Sequence, residues 1–259
     1  MRITFNNYTP YYKKTTNPTF QSNGRTYKMP NGIDMLTVTC PFRNDIDWSK
    51  FAKFEIENFK NKNEVNIIQF GASDGSEAYT QIMSLLENGD RLATKKFFPI
   101  LAFDIDETIV NVARSKLLNL NQVDECEIAD NCKSFHKYFS KSNNRLQIPN
   151  NLYENFKCFN SIYTTYKVAP ILTNKVCFNK GDIFQLAPHL KDDSNTVILC
   201  RNMLAYFPQH KIEQIVDTFS QNLKSGSLIA TGKLEERLVN YYLRAYDFEE
   251  VMKNVFRKI

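Results

Sequence analysis

The stretch 65–77, VNIIQFGASDGSE, constrains the fold of this chain more than any other part of its sequence. Four apolar residues form a nearly continuous run that ends at Gly71, as in a strand buried on both faces of a parallel sheet. Small and turn-forming residues follow up to Gly75, and a helical pattern opens at Ser76. A strand, a glycine-containing turn and a helix predict a βα unit whose turn can bring backbone close to a ligand. Taken alone, this spacing favours nucleotide binding no more than an ordinary structural turn.

Composition predicts a protein with a packed core and without a nucleic-acid partner. The chain has 259 residues, of which 42% are hydrophobic, enough for one substantial α/β domain with appendages or for two small domains. Its 33 basic and 28 acidic residues give a net charge of +5 without any basic block, so nucleic-acid binding is not indicated. Since no apolar run approaches the roughly 20 residues of a membrane span, we expect a soluble protein without membrane insertion.

Cysteine and histidine usage predicts a reduced protein without a metal site. The six cysteines form no C-x-x-C pair, and no signal peptide precedes them, so we expect free thiols and a cytoplasmic location. The three histidines, His136, His189 and His210, are scattered singly and match no zinc-binding pattern. We therefore expect no metal ion in the site.

The rest of the chain continues the alternation of strands and helices. Buried-strand patterns occur at 97–103, 176–178, 196–200 and 227–231, and helical patterns begin near Ser76, Glu107 and Pro208. This order predicts an α/β fold with a mostly parallel sheet and helices on both of its faces. Residues 248–256 are expected to add either a last helix fragment or a hairpin.

The first 60 residues are predicted to form an irregular arm and one lead-in helix. Residues 1–30 are rich in Asn, Thr, Tyr and Lys, and prolines interrupt any regular pattern. Residues 47–59 carry apolar side chains at near-helical spacing behind a candidate cap, either Asp45 or Asp47. The main domain is therefore expected to span residues 61–259.

An insertion at 119–175 interrupts the main domain and is too long to be a plain loop. Its sequence is polar and gives mixed signals. Phe135, Tyr138 and Phe139 are spaced as in a helix, whereas β-forming residues alternate over 162–168. We expect the insertion to contain structure of its own.

Five segments occur in an order that is distinctive. They are GASDGSEAYT, FDIDET, NKGDIF, CRNMLAYF and LKSGSLIATG, which begin at Gly71, Phe103, Asn179, Cys200 and Leu223. In order and approximate spacing they resemble the CheR-like family of chemotaxis-receptor methyltransferases, and the resemblance runs from residue 65 to the C-terminus. It implies a class I, Rossmann-like fold with a seven-stranded sheet, S-adenosylmethionine as cofactor, and methylation of protein glutamates, with a chemoreceptor or another protein carboxylate as partner.

The resemblance implies a cofactor site at the glycine turn. Gly71, Ala72 and Gly75 would bring bare backbone to the methionine part of the cofactor. Glu77, at the start of the next helix, would face the ammonium or sulfonium charge. The family usually has two acidic residues and a proline after the turn, whereas this chain keeps one carboxylate and has Ala78.

Two further pairs of residues match the family's cofactor site. Asp104 and Ile105 end the second strand, where the carboxylate would accept hydrogen bonds from both ribose hydroxyls. The alternative role for Asp104 is the N-cap of the next helix, for which Asp106 is better placed. Asp182 and Ile183 resemble the pair that flanks the adenine, although Asp182 could also be an ordinary turn aspartate.

Arg201, Asn202 and Tyr206 follow the fourth strand, and the resemblance places them beside the transferring methyl group as catalytic residues. Asn202 would also contact the cofactor. Arg201 could instead be a solvated or ion-paired residue, and Tyr206 a core aromatic. A glutamate carboxylate is already ionised at neutral pH, so the site would align and partly desolvate the reactants without a general base.

Three functions stay open at this point. The first is a protein-glutamate O-methyltransferase of the CheR type. The second is a methyltransferase of the same fold with a small-molecule acceptor, and the third is a non-catalytic cofactor-binding or interaction module. The presence of Asp104, Asn202 and Tyr206 argues against the third.

Overall fold

The chain is built around one seven-stranded sheet in the computed structural model, which describes residues 27–28, 34–35, 39–146, 163–190 and 193–259. The described strands are β1 (Tyr27–Lys28), β2 (Asp34–Met35), β3 (Asn66–Phe70), β4 (Ile100–Asp104), β5 (Leu117–Leu120), β6 (Phe139–Lys141), β7 (Thr164–Val168), β8 (Val176–Lys180), β9 (Thr196–Leu199), β10 (Leu228–Ala230), β11 (Phe248–Met252) and β12 (Val255–Lys258). The described α-helices are α1 (Trp48–Asn58), α2 (Ser76–Asn88), α3 (Arg91–Lys95), α4 (Glu107–Arg114), α5 (Gln122–Asn131), α6 (Pro170–Thr173), α7 (Ile183–Leu186), α8 (Gln209–Asn222) and α9 (Val239–Ala245).

The main sheet has the order β11-β12-β10-β9-β3-β4-β8. Strands β10, β9, β3, β4 and β8 run parallel, and β12 lies antiparallel between β10 and β11. From β3 the chain first moves outward through β4 to β8 and then returns to β9 on the other side. The strand order therefore reverses between β3 and β9, which is where ligands bind in open α/β sheets.

Both faces of the sheet are covered by helices, as the sequence predicts. Adjacent residues of β3 point to opposite sides: Ile67 packs in the core with α1 and α2, and Ile68 packs in the core with α8 and α9. Each is fully buried, which explains why this strand appears as a continuous apolar run. The prediction of a mostly parallel α/β fold with a small insertion is confirmed.

Several local predictions are also confirmed, and one alternative is decided. Helix α1 begins behind Asp47, whose side chain accepts a hydrogen bond from the Lys50 amide at 3.0 Å, so Asp47 is its cap. Helix α2 begins behind Gly75 and ends at Gly89. The end of the chain forms the hairpin β11–β12, with no helix there.

The insertion at 119–175 contains a three-stranded antiparallel sheet with the order β5-β7-β6. Strand β7 confirms the strand predicted from the alternating residues, although Ile162 lies outside the described residues. The helix expected around Phe135 and Tyr138 is wrong beyond one 3₁₀ turn, because Phe139 begins β6 and pairs with Val168. The sheet is fastened to α2, since Glu87 accepts hydrogen bonds from the Tyr138 hydroxyl and, at 2.7 Å, from the Lys137 ammonium.

The predicted arm at 1–30 lies outside the described residues except for Tyr27 and Lys28, which form β1 and pair with β2. The boundary predicted at residue 61 stays a prediction, although α1 already packs against α2 of the main domain. None of the described helices is long and apolar enough to cross a bilayer.

Glu55 gives the fold a predicted dependence on pH. Its carboxyl group is fully buried between α1 and α2, where the Gln81 amide donates to its two oxygens at 2.9 and 2.7 Å. Burial raises the pKa of Glu55 from 4.5 to about 8, against the smaller opposing effect of the Gln81 hydrogen bond. The folded chain therefore holds this proton more tightly than the unfolded chain does. The contribution to stability is complete below pH 4.5 and is lost as the pH rises to about 8, by up to ~1.4 kcal/mol per pH unit.

Glu55→Gln should flatten this pH dependence. We expect the variant to gain stability relative to the unmodified chain as the pH rises from about 5 to about 8. The measurement is urea unfolding at a series of pH values. Glu57→Gln, on the exposed side of the same helix, is the control and should change stability by less than ~0.5 kcal/mol. Parallel pH profiles for Glu55→Gln and the unmodified chain would show that Glu55 is ionised in the folded state.

Candidate active site

The predicted site residues lie at the carboxyl ends of β3, β4, β8 and β9, beside the point where the strand order reverses. The turn after β3, Asp104 at the end of β4, Asp182 after β8 and the segment after β9 all reach this edge of the sheet. The topology thus brings together residues as far apart in the chain as Gly71 and Tyr206.

The turn after β3 has a backbone that favours glycine. Gly71 and Gly75 have φ angles of +72° and +91°, and Ser73 between them has φ +49°. A Cβ atom on Gly75 would lie 2.7 Å from Cζ of Phe178, and one on Gly71 would lie 3.3 Å from the sulfur of Met203. The backbone of this turn therefore packs closely against Phe178 and Met203, and a side chain at either glycine would crowd them.

Asp104 ties this turn to β4. Its Oδ2 accepts a hydrogen bond from the Ser73 amide at 2.9 Å, and its Oδ1 accepts one from the Asp106 amide at 3.1 Å. Burial raises the pKa of Asp104 to about 6, although both amide hydrogen bonds favour the ionised form. Asp106 is the cap of α4, because it accepts from the Thr108 amide at 2.8 Å. The prediction that Asp106 is better placed than Asp104 to cap this helix is therefore confirmed. The ribose role of Asp104 stays a prediction.

Asp182 and Ile183 lie at the start of α7. Asp182 caps this helix by accepting from the Phe184 amide at 2.9 Å, which is the ordinary turn role considered as its alternative. Ile183 is buried in the core beside Phe103, whereas Ile105 at the end of β4 is half-buried. The adenine role of this pair stays a prediction.

Arg201 is the centre of a buried ionic cluster. Its side chain is fully buried, its Nη1 lies 2.7 Å from Oε2 of Glu77, and its Nη2 contacts the carboxylate of Asp45. The guanidinium group also stacks on Trp48, with 4.6 Å between its carbon and the ring centre. The interpretation of Arg201 as an ion-paired residue fits this geometry, and a direct catalytic role stays a prediction.

Glu77 faces the interior of the domain from the first turn of α2. Besides Arg201, its carboxylate accepts from the Gln69 amide group at 3.4 Å, and only 6% of the residue is exposed. A negative charge at a helix N-terminus is electrostatically favoured, and Arg201 strengthens that preference. The described partners of Glu77 are protein groups, and its predicted contact with the cofactor charge is untested.

Asn202 is held on three sides. Its backbone has φ +54°, and its amide donates to Oε2 of Glu235 at 2.7 Å. In its side chain, Nδ2 donates to Oδ2 of Asp45 at 3.2 Å, while Oδ1 accepts from the Leu234 amide at 3.0 Å. A Cβ atom on Gly232 would lie 2.6 Å from the Asn202 side chain, so a glycine is needed there.

Tyr206 ends the 3₁₀ turn Leu204–Tyr206 that follows Asn202. The residue is half-buried, whereas Leu204 in the same turn is almost completely buried. This placement differs from that of a fully packed core aromatic. Its predicted role beside the transferring methyl group is compatible with the structure but not tested by it.

Two acidic residues of the site were missed by sequence reasoning. Asp45 appeared only as a candidate helix cap, and Glu235 was not singled out. Glu235 is fully buried and accepts hydrogen bonds from the amides of Asn202, Ala205 and Gly232, at 2.7, 3.3 and 3.0 Å. Neither residue stands in a distinctive motif.

Comparison with known proteins adds to this geometry. Residues 37–248 match the family model described as CheR methyltransferase, SAM binding domain. The chain is similar to the solved structure of an S-adenosylmethionine-dependent methyltransferase from Clostridium acetobutylicum, with 16% identity over 72% of this chain and 50% of that one, and a TM-score of 0.33. It is also similar to magnesium protoporphyrin IX methyltransferase from Synechocystis with bound S-adenosylmethionine, with 11% identity over 81% of this chain and 74% of that one, and a TM-score of 0.36. The chain spans half the length of the first of these proteins.

Proposed function

Because the chain belongs to the CheR methyltransferase family, we propose that it transfers a methyl group from S-adenosylmethionine to a glutamate carboxylate of a protein. S-adenosylmethionine is the cofactor of this domain. The residues present fit it, since Gly71 and Gly75 give the turn after β3 a left-handed backbone without side chains at the edge of the sheet where the strand order reverses. Asp104 stands at the adjoining strand end, where its carboxylate can reach ribose hydroxyls.

The observation that best supports a carboxylate acceptor is that the acidic side chains around Asn202 are bound to protein groups. Asp45 and Glu77 contact Arg201, and Glu235 accepts from three backbone amides. These three carboxylates thus hold the site together through contacts with protein groups, and the proposal assigns none of them the removal of a proton from the acceptor. An acceptor that is already ionised, as a glutamate is at neutral pH, needs no such proton transfer.

The proposed chemistry is a single displacement. When bound, the cofactor supplies a methyl group on a positively charged sulfur, so the C–S bond breaks as the new C–O bond forms and both charges are neutralised. Asn202 and Tyr206 orient the reactants from the segment after β9. The bare backbone of Gly71 and Gly75 and the carboxylate of Asp104 bind and align the cofactor, which is worth several kcal/mol when the geometry is held.

The partner follows from this chemistry and forms part of the proposal. The acceptor is a glutamate on a chemoreceptor or on another protein, and the expected cytoplasmic location belongs to the same proposal. A small-molecule acceptor or a non-catalytic role would require the same cofactor site but would give different products.

The experiment combines cofactor binding with label transfer. Calorimetry with S-adenosylhomocysteine should show binding, and methyl-labelled S-adenosylmethionine should then give a protein-bound label that base releases as methanol. Asp104→Ala is the control that should weaken binding strongly and reduce label transfer with it. A base-stable label on a metabolite would support a small-molecule acceptor in place of a protein glutamate. Binding of the cofactor product without any methyl transfer would favour the non-catalytic module. An absence of binding at millimolar ligand would overturn both enzyme hypotheses.

A further inference from the structure

Asp45 lies in the segment before α1, outside the main sheet, and yet it reaches the end of β9. The residue is 4% exposed. Its Oδ2 accepts hydrogen bonds from Nδ2 of Asn202 at 3.2 Å and from the Lys233 amide at 3.1 Å, and the carboxylate also contacts Arg201. One carboxylate thus joins both neighbouring residues of the segment after β9 to the turn that contains Lys233.

The backbone of Asp45 is fixed from the opposite side. Its carbonyl oxygen accepts a hydrogen bond from Nδ2 of Asn254 at 3.0 Å, in the turn between β11 and β12. Asn254 is in turn bound to the buried side chain of Asn240, whose Nδ2 donates to Oδ1 of Asn254 at 2.9 Å. The carboxylate of Asp45 therefore belongs to a hydrogen-bonded network, which limits how far it can follow a movement of the Asn202 side chain.

The contacts of Asp45 decide how the Asn202 amide points. An asparagine side chain carries donors on one end and an acceptor on the other, so an acceptor and a donor on opposite sides fix its orientation. Asp45 accepts from the nitrogen end, and the Leu234 amide donates to the oxygen end at 3.0 Å. The remaining Nδ2 hydrogen and the remaining Oδ1 lone pair of Asn202 then point in fixed directions. Both can form hydrogen bonds to a ligand.

We propose that Asp45 is a positioning residue of this site, which fixes the amide of Asn202 and neutralises Arg201 without touching the cofactor. The proposal rests on the proposed role of Asn202 as a cofactor contact. In this proposal, the segment that precedes α1 helps to hold the Asn202 side chain in its binding orientation. It also separates two effects of one carboxylate, the hydrogen bond to Asn202 and the charge beside Arg201.

A double-mutant cycle in the binding of S-adenosylhomocysteine tests this proposal. The variants are Asp45→Ala, Asn202→Ala and the double variant, each studied by calorimetry with the full chain. We expect each single change to weaken binding about tenfold and the double change to weaken it no further, because both remove the same oriented amide. Losses that multiply in the double variant, or an Asp45→Ala variant that binds as the unmodified chain does, would overturn the proposal.

Asp45→Asn separates positioning from stability. It keeps an oxygen for Asn202 and Lys233 but removes the charge beside Arg201, so we expect a lower unfolding temperature with an affinity within about threefold of the unmodified chain. If affinity falls in step with unfolding temperature through both variants, Asp45 has a purely structural role. Asp47→Asn, two residues further along the chain, keeps the cap of α1 and should change neither quantity.

Two features keep the result interpretable. If Asp45→Ala does not fold, Asp45→Ser takes its place in the cycle, because a serine side chain stays polar but is too short to reach Asn202. The cycle requires cofactor binding alone. A chain that binds S-adenosylhomocysteine but methylates no protein would overturn the proposed acceptor and leave the test of Asp45 intact.

Discussion

We expect Arg201→Met to lower the free energy of unfolding by about 3–5 kcal/mol. The variant keeps much of the side-chain volume against Trp48 but leaves the carboxylates of Asp45 and Glu77 buried without their cation. Taking a carboxylate out of water is costly, and removing the partner leaves that cost uncompensated. The measurement is denaturant unfolding near neutral pH. The loss should shrink as the pH falls below neutral, because burial raises the pKa of Glu77 to about 7 and a protonated carboxyl group no longer needs a cation.

Arg244→Met is the matched control for this effect. Arg244 forms an ion pair with Glu250, but about half of its side chain is exposed, so the change should cost no more than ~1 kcal/mol. Adding Asp45→Asn and Glu77→Gln to Arg201→Met removes all three charges and should recover most of the lost stability. Equal losses from Arg201→Met and Arg244→Met would show that the buried cluster is not a stabilising unit.

We expect Asp104→Ala to weaken the binding of S-adenosylhomocysteine about 100-fold. The variant loses the acceptor predicted for two ribose hydroxyls, and hydrogen bonds to a charged group contribute ~1.5–3 kcal/mol each. It also removes the hydrogen bond that the carboxylate accepts from the Ser73 amide at 2.9 Å, so the glycine turn loses one link to β4. Because burial raises the pKa of Asp104 to about 6, affinity in the unmodified chain should fall as the pH drops below that value.

The neighbouring aspartate provides the control for this prediction. Asp106→Ser keeps a side chain that can cap α4 and should leave affinity unchanged, with a loss of stability below ~1 kcal/mol. Calorimetry on both variants decides the assignment. An unchanged affinity in Asp104→Ala would remove this residue from the ribose role.

The sheet could be predicted from the sequence because its central strands are buried on both faces. Ile67 and Ile68 lie side by side in the chain and enter opposite cores, so β3 stands out as an unbroken apolar run. The glycine turn could be predicted for a similar reason, since a positive φ angle favours particular residue types at Gly71 and Gly75.

Residues whose environment is set by distant contacts could not be predicted. The sequence neighbours of Asp45 and Glu235 are like those of many solvated acidic residues. Only folding brings Arg201 to Asp45 and the Asn202 amide to Glu235. The same reason explains the failure at Phe139. Its helical spacing is real, but pairing with Val168 across the insertion makes it the first residue of a strand.

The position of β12 has a consequence for how the chain is made. Of the strands in the main sheet it is synthesised last, yet it fills the place between β10 and β11, with Val255 opposite Ala230. Until β12 has paired, the outer edge of β10 is open and β11 has no partner in the main sheet. Open strand edges promote association between chains. Folding of the main sheet is therefore complete only when its last strand has paired with both β10 and β11.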